Sequence, residues 1–567
     1  MQKTCPHCRQ SFFISDEDLK FYEKVSPIIA GKQYLVPPPT LCPECRQQRR
    51  FSWRNERHLY HRKSDLSGKQ IISNLHPGAA VPIYEIQEWW SDEWNALNYG
   101  RDFDFSRPFF EQFAELQKVV PQLNLCIWYC ENSGYCNYVG NVKNSYLIYG
   151  SVYSEDCYYG SPYYSKNCLD TLVVRECEWC YECVDCRKLY ECFYCQDCHS
   201  SSGLIFCFDL QGCTDCIGCA GLRNKKYYIF NQPYTAREYA QKKNELKLWN
   251  PIVRQELAAK LDTLKKEIPH RYMQSNQVEN VSGNYVYQSK NVLDSYYADR
   301  SEDCRFVAQV VDLKNCYDNN YTEENEFCYE YLGAYQVRNV LFSKFCNRVE
   351  NCLYCDSCFH GHDLFGCISV RNKNYCILNK QYSKEEYEKL LPKIIEHMMK
   401  TPLTSPLRGG KEEGQEWGEF FPASHSFFSY NESVAQEYFP LSSEQVTAEG
   451  WQWYEEENAK NYLGPKLELP DDIELVTENI CEQILLCEVT GKPYKIIPQE
   501  LQFYKKFQLP LPRKCPDERH KERIALRNPR QLWQRACSQC KKQIHTSYAP
   551  DRPEKVYCEE CYLAAVY

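Results

Sequence analysis

Eight cysteines sit at spacings that bind metal. Cys5-x2-Cys8 and Cys42-x2-Cys45 form one set, and Cys537-x2-Cys540 with Cys558-x2-Cys561 form another. Two residues between paired cysteines let a tight turn aim both sulfurs at one ion, and zinc takes four thiolates tetrahedrally. Four protein ligands fill the coordination shell, so each set predicts a structural zinc site rather than a catalytic one. A different run, Cys177, Cys180, Cys183 and Cys186, reads C-x2-C-x2-C-x2-C, and shorter runs follow at Cys192, Cys195, Cys198, at Cys213, Cys216, Cys219 and at Cys352, Cys355, Cys358. Such runs can hold zinc or an iron–sulfur cluster. The bacterial ferredoxin run is C-x2-C-x2-C-x3-C-P, whereas here the last gap is two and Arg187 stands in place of proline. The competing reading is stacked buried thiols, because free cysteine is among the most buried residue types.

A third candidate zinc set is a worn copy of the first. CEVTGKPYKIIPQELQFYKK from Cys487 aligns with CPHCRQSFFISDEDLKFYEK from Cys5, and CPDERHKERIALRNPRQLWQR from Cys515 with CPECRQQRRFSWRNERHLYHR from Cys42. Thr490 replaces Cys8 and Glu518 replaces Cys45, while Cys487 and Cys515 remain. Cys481, Glu518 or His520 would have to complete a rebuilt site; packing without metal is the other reading. Both copies keep their arginines: Arg46, Arg49, Arg50, Arg54, Arg57 and Arg62 in the first, Arg519, Arg523, Arg527 and Arg530 in the second. Interleaved with Phe51, Trp53 and Tyr60, such a run suits phosphates and stacked bases, hence a nucleic-acid or ribonucleoprotein partner. It equally suits packing against acidic parts of the same chain.

The elements that would position these groups are themselves repeated. The tyrosine- and cysteine-rich stretch from about Ser133 to Asn231 recurs from about Ser282 to Asn379, shifted by 148 positions, so that Cys168, Cys180, Cys198, Cys207 and Cys219 fall on Cys316, Cys328, Cys346, Cys355 and Cys367. Within each copy small residues return about every twelve positions, often after a turn pair (KNS, EDC, KNC), with β-prone runs between. Short strands at fixed spacing predict a duplicated parallel β-solenoid or β-helix with cysteines facing inward. Twelve residues fit one narrow coil or half of a wider one. Capping boxes at Thr235/Glu238 and Ser383/Glu386 predict a helix closing each copy.

The expected order is a treble-clef-like zinc module with a basic helix (1–65), a connector (66–120), the first solenoid copy (121–232) and a helical cap (233–273). The second copy (274–381) and its cap (382–400) follow. A linker and aromatic-rich segment (401–480), the worn zinc module (481–535) and a zinc ribbon (536–567) complete a multidomain, mainly β chain.

The chain has 567 residues, 36 of them cysteine, and a net charge of −9. That length allows several domains with cores. The charge argues against a protein that coats nucleic acid throughout. No apolar run approaches a membrane span. MQKTCPHC carries no apolar export segment, and paired cysteines in a long chain favour reduced thiolates, so a cytoplasmic location is expected.

CPHC…CPEC, GKPYKIIPQELQFY, LPRKCPDERH and CSQC…APDRPEKVYCEEC resemble an uncharacterised group of large cysteine-rich zinc-ribbon proteins of candidate-phyla bacteria. The resemblance covers most of the chain apart from SPLRGGKEEG. It implies cytoplasmic zinc binding and no particular reaction.

The leading functional expectation is a non-enzymatic zinc-binding scaffold that contacts nucleic acid or a ribonucleoprotein through its basic runs. The second is a redox or metal-handling protein using the solenoid cysteines. The third is a β-helix enzyme on polysaccharide, for which the carboxylates Glu155, Asp156, Glu302 and Asp303 are the candidates. No phosphate loop, dinucleotide fingerprint or nucleophile signature is present, which weighs against an enzyme.

Overall fold

The computed structural model describes residues 1–405, 410–455 and 467–566. It is a multidomain protein rich in β-structure, and it divides into two units. Met1–Leu125 joins Met273–Tyr454 in one, and Cys126–Tyr272 joins Glu455–Tyr567 in the other. The N-terminal cysteine module therefore shares a unit with the second repeat copy, and the C-terminal modules share a unit with the first.

Each repeat copy is a ladder of parallel strand segments in which most residues pair with the one twelve positions on, with eleven-residue steps at Tyr158–Leu169 and Glu279–Lys290. Asn137 faces Tyr149, Arg187 faces His199 and Ser202 faces Thr214 in the first copy. Arg338, Glu350, His362 and Asn374 follow one another in the second. Within this repeat the backbone turns in steps of three. Trp179, Glu182, Asp185 and Lys188 have φ of 55°, 50°, 54° and 53°. The residue after each of these corners points inward: Cys180, Cys183, Cys186 and Leu189 are all buried. This explains the three-residue cysteine spacing, which a flat strand cannot produce because its side chains alternate faces. It also explains the turn pairs. Asn144, Asp156, Asn167, Asp303 and Asn315 are left-handed corners, each just before an inward Ser145, Cys157, Cys168, Cys304 or Cys316. Asn and Asp enter this region at least cost among residues with a side chain.

Cysteine suits the inward position because it is small and has a weak donor. Cys180 Sγ lies 3.5 Å from the carbonyl of Glu178 and 3.9 Å from that of Leu189. Cys183 Sγ reaches the carbonyls of Tyr181 at 3.5 Å and Cys192 at 3.3 Å. Serine does the same at Ser145, Ser165 and Ser201. One outer edge carries alternating charge, with Lys290 3.1 Å from Glu279, Lys314 3.3 Å from Glu302 and Arg338 3.5 Å from Glu326. A slip by one strand would place like charges together, so this column specifies register.

Both ladders end alike. Lys226–Ile229 turns antiparallel onto Gln232–Pro233, and Asn374–Ile377 onto Lys380–Gln381. The predicted capping boxes then start the helices Ala236–Glu245 and Lys384–Met398. The boundary expected at residue 65 falls inside a hairpin, Tyr60–Lys63 with Gln70–Ser73. The stretch expected as linker from Thr401 holds the antiparallel pair Pro402–Ser405 and Gly410–Gln415. The centre of SPLRGGKEEG and the start of GPKLELPDD lie outside the described residues.

Candidate metal centres and their docking faces

Cys5, Cys8, Cys42 and Cys45 converge, with sulfurs all within 4.8 Å of one another, and so do Cys537, Cys540, Cys558 and Cys561. Cys8 Sγ is 3.5 Å from Cys42 Sγ, and Cys540 Sγ is 3.6 Å from Cys558 Sγ. Tetrahedral sulfurs at about 2.3 Å from zinc lie roughly 3.8 Å apart, so both sets fit such an ion.

The local backbone explains the convergence. In the first knuckle Cys5 N–H donates to Gln10 O at 2.8 Å and Arg9 N–H donates back to Cys5 O at 2.9 Å, with Arg9 at φ 62°. Cys537 and Lys541 repeat the pattern at 2.8 and 3.0 Å, with Lys541 at φ 66°. The second pair in each set opens a helix: Cys42 precedes Pro43–Phe51, and Cys558 precedes Glu559–Val566. Helix N-termini favour thiolate charge. Mutual hydrogen bonding with Cys42 and Cys45 holds the Cys5 thiol well below its ordinary range. Burial opposes ionisation of Cys537, but the neighbouring backbone of Cys558 and Cys540 brings it to about 6. His7, absent from the expected ligands, places Nδ1 3.2 Å from Cys45 Sγ and stacks on Trp451.

Among the described residues no third group of this kind forms. Cys487 and Cys515 are buried beside each other, with Thr490 Oγ1 4.0 Å from Cys515 Sγ. His520 instead bonds the Tyr149 hydroxyl at 2.5 Å, and Cys481 packs in an apolar cluster. Cys177, Cys180, Cys183 and Cys186 line the ladder interior, each aimed at a carbonyl two residues back. Of the carboxylates weighed for polysaccharide chemistry, Asp156 and Asp303 are left-handed corners, while Glu155 and Glu302 belong to charge columns with Lys166 and Lys314.

The arginines lie on faces that meet acids of their own unit. Arg50 is fully buried and satisfies Glu330 at 2.7 Å, Asp318 at 2.9 Å and Asn320 at 2.8 Å. Arg46 donates to Asp318 at 2.8 Å, and Arg49 bridges Glu330 and Glu419. Arg54 pairs with Glu56, Arg57 with Glu437 and Arg62 with Asp65. In the other unit Arg519 pairs with Asp170, Arg523 with Asp170 and Glu182, and Arg527 with Asp185; Arg530 is half-buried. This is the intramolecular packing weighed against nucleic-acid contact in the sequence. Residue type alone could not separate the two, because Asp318 lies 272 positions from Arg46. No helix is long and apolar enough to cross a membrane.

No protein-family model and no curated protein matches the chain. Among solved structures, one described as a "putative acetyltransferase" from Desulfovibrio desulfuricans G20 is 10% identical over 49% of this chain and 75% of its own. Its TM-score of 0.10 carries no argument.

Proposed function

We propose that the protein is a non-enzymatic zinc scaffold in which two structural zinc ions hold small modules that clamp duplicated β-solenoids. The observation that carries this reading is the pair of closed four-thiol clusters, each with its sulfurs within 4.8 Å. A closed shell leaves no open position for substrate or water. The first cluster is continuous with its arginine face, since Cys42 caps the helix that carries Arg46, Arg49 and Arg50. Zinc there would fix the helix that plugs those guanidiniums into Asp318 and Glu330. In the other unit the helix after Cys515 carries the arginines, and the four-thiol cluster follows it in the chain.

The reading is tested by elemental analysis of anaerobically purified protein and by chelation. Two zinc ions per chain are expected, together with loss of ordered structure in residues 1–51 and 537–562 when they are removed. One ion, none, or a predominance of iron would overturn it. Binding of labelled single-stranded RNA at low salt would show that the arginine faces open to a partner, restoring the nucleic-acid reading.

A further inference from the structure

The correspondence between the modules runs further than their ligands. Continued without a gap past Arg62 and Arg535, it sets Ser64, Ser67, Glu85 and Glu88 of one unit on Cys537, Cys540, Cys558 and Cys561 of the other. The backbone agrees bond for bond. The hairpin Tyr60–Lys63/Gln70–Ser73 falls on Trp533–Ala536/Gln543–Thr546, with Tyr60 facing Ser73 as Trp533 faces Thr546. Ser64 N–H donates to Lys69 O and Gly68 N–H to Ser64 O, both at 2.9 Å; Cys537 with Lys542 and Lys541 with Cys537 do the same at 2.8 and 3.0 Å. Gly68 and Lys541 take the same left-handed corner, at φ 74° and 66°. Asp65 N–H to Ile83 O matches Ser538 N–H to Val556 O, at 2.8 and 2.9 Å. Ile83–Tyr84 pairs in parallel with Gln122–Leu123, as Val556–Tyr557 does with His270–Arg271, and these partners are separated by the repeat's own shift.

Three of the four substituted side chains still meet, Ser64, Ser67 and Glu88, while the Glu85 carboxylate caps its own helix at Gln87 N–H. Ser64 Oγ donates to Glu88 Oε2, and Glu85 N–H lies 3.3 Å from the same oxygen. Glu88 is held below the ordinary carboxylate range: burial opposes this, and hydrogen bonds from Ser64 and Ser67 prevail. The other unit shows the converse. Cys487, Thr490, Cys515 and Glu518 keep the knuckle bonds of the first site, Cys487 N–H to Lys492 O at 3.0 Å and Gly491 N–H to Cys487 O at 2.9 Å, with Gly491 at φ 71°.

We infer that each unit is a copy of one two-site zinc module and that each has lost the opposite site. Ser64, Ser67, Glu85 and Glu88 mark a former zinc position in which hydrogen bonds have replaced the ion. Thr490 and Glu518 mark the other. The backbone at both positions remains arranged for a tetrahedral thiolate-bound divalent ion. This rests on the zinc reading of the two intact clusters.

Restoring the ligands tests it in the full-length chain. T490C/E518C is expected to raise bound zinc from two to three ions per chain, and S64C/S67C/E85C/E88C to do so independently; together they give four. Cobalt substitution should then show one more tetrahedral thiolate spectrum for each restored site. A variant that folds like the wild type and still holds two ions overturns the inference, as does a variant that cannot fold with zinc supplied, because the positions are claimed to be arranged already. A wild-type chain without two ions would sink the zinc reading itself, and the two failures are therefore told apart.

Discussion

The two units solve one docking problem with different charge. Arg46 and Arg50 of one unit stand where Arg519 and Arg523 stand in the other, and the acids they meet, Asp318 and Glu330, stand where Asp170 and Glu182 stand. One partner differs: Arg49 is replaced by Glu522. Glu330 is fully buried, which alone would raise its pKa, yet Arg49, Arg50 and Arg46 hold it below the ordinary range. Glu182 meets fewer cations; burial and Asp170 outweigh Arg523 and Arg519, and it rises to about 7. A buried carboxylate is secure only when surrounding cations offset its desolvation. With one arginine fewer and Asp170 beside it, Glu182 takes the opposite direction from Glu330 while the fold persists.

The largest test of this comparison is metal removal. Cys42→Ser should release one zinc and expose residues 1–51 to hydrogen exchange, and Cys558→Ser should release the other and expose residues 537–562. Structural zinc contributes about 10–16 kcal/mol in small zinc modules, so partial loosening is not expected. Exposure that spreads equally through both units would break the comparison.

Next come the arginines. Arg50→Ala leaves Asp318 and Glu330 short of a cation and should destabilise its unit by roughly 3–5 kcal/mol. Arg523→Ala should cost less, because Glu182, with its pKa raised to about 7, carries only part of its charge at pH 7. Equal losses in denaturant titrations would erase the distinction drawn between the two carboxylates.

Acidity separates the units more finely. The folded pKa of Glu182 lies above its ordinary 4.5, so folding takes up a proton, and its contribution falls as pH rises from 4.5 through about 7. The folded pKa of Glu330 lies below the ordinary value, so its contribution is present above that value and is lost as pH falls through the depressed one. Glu182→Gln should flatten the neutral-pH slope of unfolding, whereas Glu330→Gln should flatten only the acid limb. The smallest effect belongs to the outer charge column: Lys314→Ala should leave the melting temperature unchanged within error, because an exposed pair contributes little.

Much of this was legible in the sequence. The twelve-residue return, the Asn or Asp before Ser145, Cys157, Cys168, Cys304 and Cys316, and the two C-x2-C sets all mark backbone requirements that few residues meet. The former zinc position at Ser64, Ser67, Glu85 and Glu88 was not, because Ser and Glu carry no metal signal. Only carrying the alignment beyond Arg62 finds it. The fate of Arg46, Arg50, Arg519 and Arg523 was equally hidden, since their counter-charges lie hundreds of positions away and burial depends on which ladder a module meets.

The crossed pairing of modules and ladders also has a cost in time. Arg46 waits for Asp318, 272 residues downstream, which at about 5–20 residues per second is roughly 15–50 s of translation. Through that interval the nascent chain carries an unsatisfied basic helix close to a ribosome full of phosphate. Prompt ion capture by Cys5, Cys8, Cys42 and Cys45 would let the early segment hold its shape until its acidic counterpart emerges.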